Sequence, residues 1–354
     1  MKLQKITETT CYFGSYDPNY SRNRIIKKGL EANGVKVFEN RASGLVFIRY
    51  AKLISSFIKL RNQISYIIVG FPGHYDIPLA FLLGKVFTKK VYYDMFASTY
   101  ETYVLDRKVT VKNSFKAKFY YFLDWLGLRL ADYVIIDTRA HGKFYKKLYG
   151  LDLKKSILIY VGSDPDSFHP RKVKETTDVL FYGSYQPLQG TDVIIRAAAK
   201  LPKVKFKMIG EGQERNMAED LVKNFKLKNV EFVNWLSTNE LSEEIGKAKI
   251  NLGIFGKSQK AEVVIPNKVF DSIASNKTVI TSNNKAIKEI SKISLNQFAL
   301  VESGNPLKLA SKINFLLNNP ELRKNIAANG FLLYKSLFRP KIVVKKLYIS
   351  IKNE

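Results

Sequence analysis

The chain has 354 residues, 58 of them Lys or Arg against 31 Asp or Glu, for a formal net charge of +27. A composition of 46% hydrophobic and 25% charged residues excludes wholesale disorder, and at about 100–200 residues per domain the length predicts two domains. One cysteine, Cys11, excludes an internal disulfide framework and a cysteine-clustered zinc site, and three widely spaced histidines (His74, His141, His169) disfavour a histidine metal centre.

The amino terminus lacks the apolar core of a signal peptide. The nearest approach to an apolar span, residues 66–84, is interrupted by Pro72, His74, Asp76 and Pro78. A soluble cytoplasmic protein is expected. Short apolar, β-branched or aromatic runs ending in Gly or Asp predict strands at 9–13, 36–38, 66–69, 90–93, 133–136 and 156–161, with helical patterns between them. The turn-rich stretch 162–171, with Pro165 and Pro170, then breaks the pattern. The same grammar resumes with strands at 179–182, 205–209, 230–233, 250–254, 278–281 and 298–301. Strands apolar along their whole length and alternating with helices read as parallel sheets covered on both faces. The expectation is two facing, Rossmann-like α/β domains, residues 1–165 and 171–335, with a ligand cleft between them at the carboxyl ends of the strands. A basic helix over 336–354 is expected to pack back toward the first domain.

Net charge draws anions such as nucleic acid, acidic lipid or phosphorylated small molecules, but the excess is spread along the whole chain. The strand-end loops are more specific. Phe13-Gly14-Ser15-Tyr16 and Tyr182-Gly183-Ser184-Tyr185 follow the first strand of each half. Glycine there lets backbone N–H groups approach a phosphate, although neither loop matches the dinucleotide or nucleoside-triphosphate patterns, and a plain tight turn is the alternative for each. Gly210-Glu211-Gly212 is another close-approach turn. The richest segment carries Glu262, then Pro266-Asn267-Lys268-Val269-Phe270-Asp271. Pro266 suits a first helical turn, and Lys268 there opposes the helix dipole unless an anion sits beside it. Asp271 is placed to accept from vicinal hydroxyls. The bland alternatives are a solvated loop charge for Glu262 and an (i, i+3) surface pair between Lys268 and Asp271, worth about 0.2–0.5 kcal/mol.

At these residues the sequence resembles retaining glycosyltransferases of the GT-B fold, the family-4-like group also called glycosyl transferases group 1. The resemblance runs over nearly the whole chain and is most specific from 179 to 290. It implies a UDP- or GDP-sugar donor held by the second domain and a saccharide or lipid-linked acceptor held by the first, in glycan or cell-envelope glycoconjugate synthesis, with no cofactor and no metal. Carried over, Glu262 lies by the transferred sugar and Asp271 by the ribose. Gly183, Ser184 and Gln189 fall on the diphosphate side, Gly210 is a further donor-binding candidate, and Asn234-Trp235 lies in the base-reading loop. Three departures stand out: eight residues rather than seven separate the acids, the second acid is Asp, and the family's diphosphate-binding Arg and Lys are here Ser184 and Gln189. Lys268, assisted by the N–H groups of Gly183 and Ser184, is expected to supply the missing charge.

In the first half, the loops bearing Phe71-Pro72-Gly73-His74, Asp94 to Ser98 and Leu105-Asp106-Arg107 resemble acceptor-side loops of a branch of this family. Gly14, Ser15, His74, Ser98, Asp106 and Arg107 become acceptor candidates and Asp94 a second catalytic candidate. A surface ion pair (Asp106, Arg107) and a structural loop histidine (His74) are the alternatives, and His141 reads as structural. Residues 107–130 and 49–61 interleave lysines with Phe, Tyr, Trp and Leu, which suits helices lying on an anionic membrane surface, against the alternative of ordinary core-facing amphipathic helices. Peripheral association with the inner face of the membrane follows from the first alternative. Rival readings are a catalytically silent GT-B partner, consistent with the lost Arg and Lys, and a GT-B nucleotide-sugar epimerase, which lacks a histidine near Glu262. A nucleic-acid-binding module is disfavoured by the evenly spread charge, and no specific nucleic-acid partner is expected.

Overall fold

A computed structural model describes residues 8–293 and 296–353. The chain divides into two compact units, one of Met1–Val104, Lys108–Val161 and Pro340–Glu354, the other of Leu105–Arg107 and Gly162–Arg339. The first holds β1 (Glu8–Gly14), α1 (Ser21–Ala32), β2 (Val35–Arg41), α2 (Val46–Leu60), β3 (Tyr66–Val69), α3 (Ile77–Val86), β4 (Lys90–Asp94), α4 (Phe115–Leu130), β5 (Tyr133–Ile136), α5 (Arg139–Tyr149) and β6 (Ser156–Leu158). Its strands form one parallel sheet in the order β2-β1-β3-β4-β5-β6. The four residues of β3, Tyr-Ile-Ile-Val, are all buried, as befits a central strand covered on both faces. Helix ends follow local chemistry. Thr138 Oγ1 caps α5 by accepting from His141 N at 2.9 Å, and Gly150, at φ 72°, ends it in the left-handed region that glycine tolerates.

The second unit holds β7 (Thr177–Tyr182), α6 (Thr191–Ala198), β8 (Phe206–Ile209), α7 (Arg215–Asn224), β9 (Val230–Val233), α8 (Thr238–Lys247), β10 (Ala248–Leu252), α9 (Gln259–Val263), α10 (Asn267–Ala274), β11 (Thr278–Ser282), α11 (Ile287–Ser291), β12 (Ala299–Val301), α12 (Pro306–Asn318) and α13 (Pro320–Leu333). Its parallel sheet runs β12-β11-β10-β7-β8-β9. Val179 and Phe181 of β7, Ile250 and Leu252 of β10, and Ile194 and Leu309 of the covering helices are fully buried at its centre. All twelve predicted strands are present, in two sheets, and the α/β expectation holds. The differences lie at element ends: β6 stops at Leu158, and Pro266 is the extended N-cap of α10 rather than its first helical residue.

The tail has α14 (Pro340–Val343) and α15 (Lys345–Lys352), and both belong to the first unit. A Cβ on Gly29 of α1 would lie 2.4 Å from Pro340 O and 2.8 Å from Val344, so a glycine is what admits α14 there. Val344, Leu347 and Ile351 are fully buried. The single basic helix expected over 336–354 is thus two short helices, and the π-helical turn Tyr334–Phe338 stays with the second unit.

Candidate functional site

The carboxyl end of β7 and the start of α10 bring the strongest chemistry together. Lys268 is only 4% exposed, and its Nζ has no hydrogen-bond partner. It stands 4.0 Å from the centroid of the Phe181 ring. The alternative, a surface pair with Asp271, is not formed. Burial pushes the Lys268 amine well below its usual range. An ammonium taken from water without a partner costs several kcal/mol, in order of magnitude, so this one is poised for an anion.

Gly183 is where that lysine points. A Cβ on Gly183 would lie 2.7 Å from Lys268 Nζ and 2.7 Å from Gln189 Oε1, and the latter atom is also buried without a partner. Two orphaned polar atoms therefore converge on the side of Gly183 that lacks a side chain. The backbone contribution differs from expectation. Gly183 N–H already donates to Ile209 O at 3.0 Å in the sheet, so it cannot serve a phosphate. Ser184 Oγ accepts from Gln186 Nε2 at 2.8 Å, which leaves its own proton to donate outward. The Gly210–Gly212 turn presses on this loop so closely that a Cβ on Gly212 would sit 1.8 Å from Ser184 O.

Asp271 is placed one turn beyond Lys268 but is occupied by the protein. Its Oδ1 accepts from Ser163 Oγ at 2.7 Å and its Oδ2 from the Tyr182 hydroxyl at 3.3 Å. These bonds fix α10 against β7 and the start of the second unit, and they leave the carboxylate little freedom for a ribose. Glu262 lies on α9, partly exposed, and makes no ion pair among the described residues. Trp235 is 52% exposed beside exposed Asn234, after β9. Asp106 accepts from Ser258 Oγ at 2.6 Å, and Arg107 O accepts from Gln213 Nε2 at 2.9 Å, so both residues sit with second-unit residues. One Asp-x-Asp triplet occurs, Asp164-Pro165-Asp166, and it closes a turn in which Asp166 N donates to Asp164 Oδ1 at 3.2 Å.

The first unit treats its candidates differently. The Gly14-Ser15 turn is filled from within: Ser15 N and Oγ donate to Asp76 Oδ2 at 2.8 and 2.7 Å, and Arg49 Nε lies 3.0 Å from Asp76 Oδ1. Asp94 is fully buried and held by Arg22 through Nε and Nη2 at 3.0 Å each, which withdraws it from contact with substrate; burial pulls its carboxyl upward while Arg22 opposes. His74, 4% exposed, contacts Ala97 O at 2.9 Å, and burial lowers its pKa. Ser98 Oγ donates to Asp124 Oδ2 at 2.7 Å. These four residues are internal polar contacts of the first unit. Sequence reasoning also missed a buried cluster in which His141 Nδ1 lies 2.6 Å from Asp137 and Nε2 lies 2.9 Å from Glu101. Burial alone would lower its pKa, yet the two carboxylates outweigh that and hold it at about 10.

Residues 163–332, which contain the β7–α10 site, match the family model described as glycosyl transferases group 1. Over that segment the chain is similar to the group 1 glycosyl transferases. An uncharacterized glycosyltransferase of Methanocaldococcus jannaschii is 28% identical over 241 residues, spanning 67% of this chain and 64% of that one. Among solved structures, HepE of Anabaena in complex with UDP and glucose superposes with a TM-score of 0.72 at 13% identity, covering 98% of this chain and 100% of that one. Sucrose-phosphate synthase of Thermosynechococcus elongatus gives 0.74 at 14% identity, covering 98% and 99%. These structural likenesses establish the GT-B fold for the chain.

Proposed function

We propose that the protein transfers a sugar from a nucleoside diphosphate sugar to a saccharide or lipid-linked acceptor, with retention at the anomeric carbon. The observation that carries this reading is the buried, unpartnered Lys268 facing Gly183. A group 1 fold that lacks the usual Arg and Lys still needs a cation for the departing diphosphate, and the burial of this amine without a hydrogen-bond partner supports that role for it. Ser184 would donate a second bond from its hydroxyl, and Gln189 would bind through its amide. Glu262 takes the sugar-facing role and Trp235 a stacking role toward the base. Asp271 acts as a positioning residue, holding α10 so that Lys268 faces the turn. Transfer breaks the anomeric C–O bond to the diphosphate and forms one to the acceptor oxygen, whose proton leaves with the diphosphate. UDP is the favoured nucleotide because a protein of the same fold, HepE, is described in complex with it. The test is a thermal-shift and calorimetric comparison of UDP and GDP, followed by turnover of the corresponding sugars. Absence of any shift with either nucleotide would remove this reading and favour a silent partner.

A further inference from the structure

We infer that one face of the first unit, formed by the outer sides of α2 and α4 and the loop at Tyr75, is a docking surface for an anionic lipid bilayer. Both helices bury one apolar stripe, Leu53 and Phe57 on α2 and Ala117 and Leu123 on α4. They then carry a second apolar set outward, where Phe47 is 89% exposed and Phe115 is 87% exposed. A helix apolar on both sides has more to bury than the unit's own core accepts.

The two helices share one patch. The Tyr50 hydroxyl of α2 donates to the carbonyl of Tyr75, and Tyr75 lies within electrostatic reach of Tyr103 and Tyr120. Tyr103 and Tyr120 have ring centroids 5.4 Å apart, and Lys116 Nζ stands 5.8 Å from the Tyr120 ring. Charge names the occupant. Residues 40–75 contain five basic residues and no acidic one, and residues 108–123 contain four basic and none acidic. A second copy of the chain would bring like charge against like, whereas an anionic membrane complements it. Aromatic rings would sit at headgroup depth while the lysines reach lipid phosphates. A shallow depression on α2 lined by Ala51, Lys52, Ser55, Ser56 and Lys59 offers two cations and two hydroxyls for one such headgroup. No helix among the described residues is long and apolar enough to cross a membrane.

The experiment is flotation of the full chain with phosphatidylcholine vesicles and with vesicles of roughly 30% phosphatidylglycerol, at low and high salt. Binding to the anionic vesicles that weakens with salt is expected. The double variant Phe47→Ser/Phe115→Ser should lower the partition coefficient by at least about tenfold. Lys52→Gln/Lys116→Gln should lower it and flatten the salt dependence. Lys345→Gln/Lys346→Gln, on the exposed side of α15, should leave both unchanged. All substituted positions are exposed, so folding is preserved, and the UDP-induced thermal shift of each variant should equal the parent's, which keeps this outcome separate from that of the donor site. No flotation at low salt, equal loss in the α15 variant, or a dimer dissociated by the phenylalanine changes without vesicle binding would each overturn the inference.

Discussion

Replacing Lys268 by Met keeps the aliphatic stem against Phe181 and deletes the amine. Without nucleotide the substitution should stabilise the protein, because it removes a buried group that has no partner; relief of such a group is worth about 1–3 kcal/mol. At about 2–4 °C per kcal/mol for a domain of this size, the melting temperature should rise by roughly 2–12 °C. With UDP the sign reverses. A charge-assisted bond to a diphosphate contributes about 1.5–3 kcal/mol, so affinity should fall by about ten- to 150-fold. Proton linkage adds a third readout. Burial holds the amine well below its ordinary range, and a neighbouring anion would raise it again, so binding between those two pKa values draws in a proton. In the parent, therefore, UDP affinity should fall as pH rises, and calorimetry in buffers of different ionisation enthalpy should register proton uptake; Lys268→Met should show neither. By the same logic the unfolded chain binds the proton more tightly, so Lys268 makes the free protein more stable as pH rises toward the normal lysine range. A variant that melts lower than the parent and keeps its UDP shift would refute the assignment.

Gly183→Ala would force a methyl into 2.7 Å contact with the tips of Lys268 and Gln189. Both are ends of flexible side chains, so the protein should fold normally by circular dichroism yet bind UDP at least about tenfold more weakly by titration calorimetry. His141→Gln leaves Asp137 and Glu101 buried without their cation and should cost about 3–5 kcal/mol in urea unfolding. Because the folded pKa of His141 is raised from 6.5 to about 10, its contribution is complete below about pH 6.5 and lost as pH climbs through about 10, so the gap between parent and variant should shrink in alkaline melts. Arg22→Met strips both oxygens of Asp94 of their partner and should cost a similar roughly 3–5 kcal/mol, with the UDP affinity of the second unit unchanged.

The sheets were legible because parallel strands buried on both faces leave continuous apolar runs such as Tyr66–Val69, and helices between them leave a second period. Lys268 was legible for an electrostatic reason, a cation in the first turn of a helix where none is favoured. Its burial was not, because Phe181 lies 87 positions away in sequence and meets it only through the packing of α10 on β7. Long-range partners account for the other departures. Ser163 claims Asp271, Arg22 claims Asp94, and Asp76 reaches Ser15 across 61 residues. The two Gly-Ser-Tyr turns look alike in sequence, yet one meets a carboxylate of its own chain and the other the buried amine of Lys268. The only local hint at that difference was Asp76 itself, an acid at the N-cap of α3 just before Ile77-Pro78.

The lodging of α14 and α15 on the first unit has a consequence for biogenesis. The second unit is contiguous apart from Leu105–Arg107 and is fully synthesised by Arg339, whereas the first still lacks Val344, Leu347 and Ile351, three fully buried side chains, until translation has passed position 351. A nascent chain emerging in order can therefore close its later half before its earlier one, and the earlier half waits with the cover of α1 and β6 undelivered. Cleavage within residues 340–354 would strike the half of the protein that was made first.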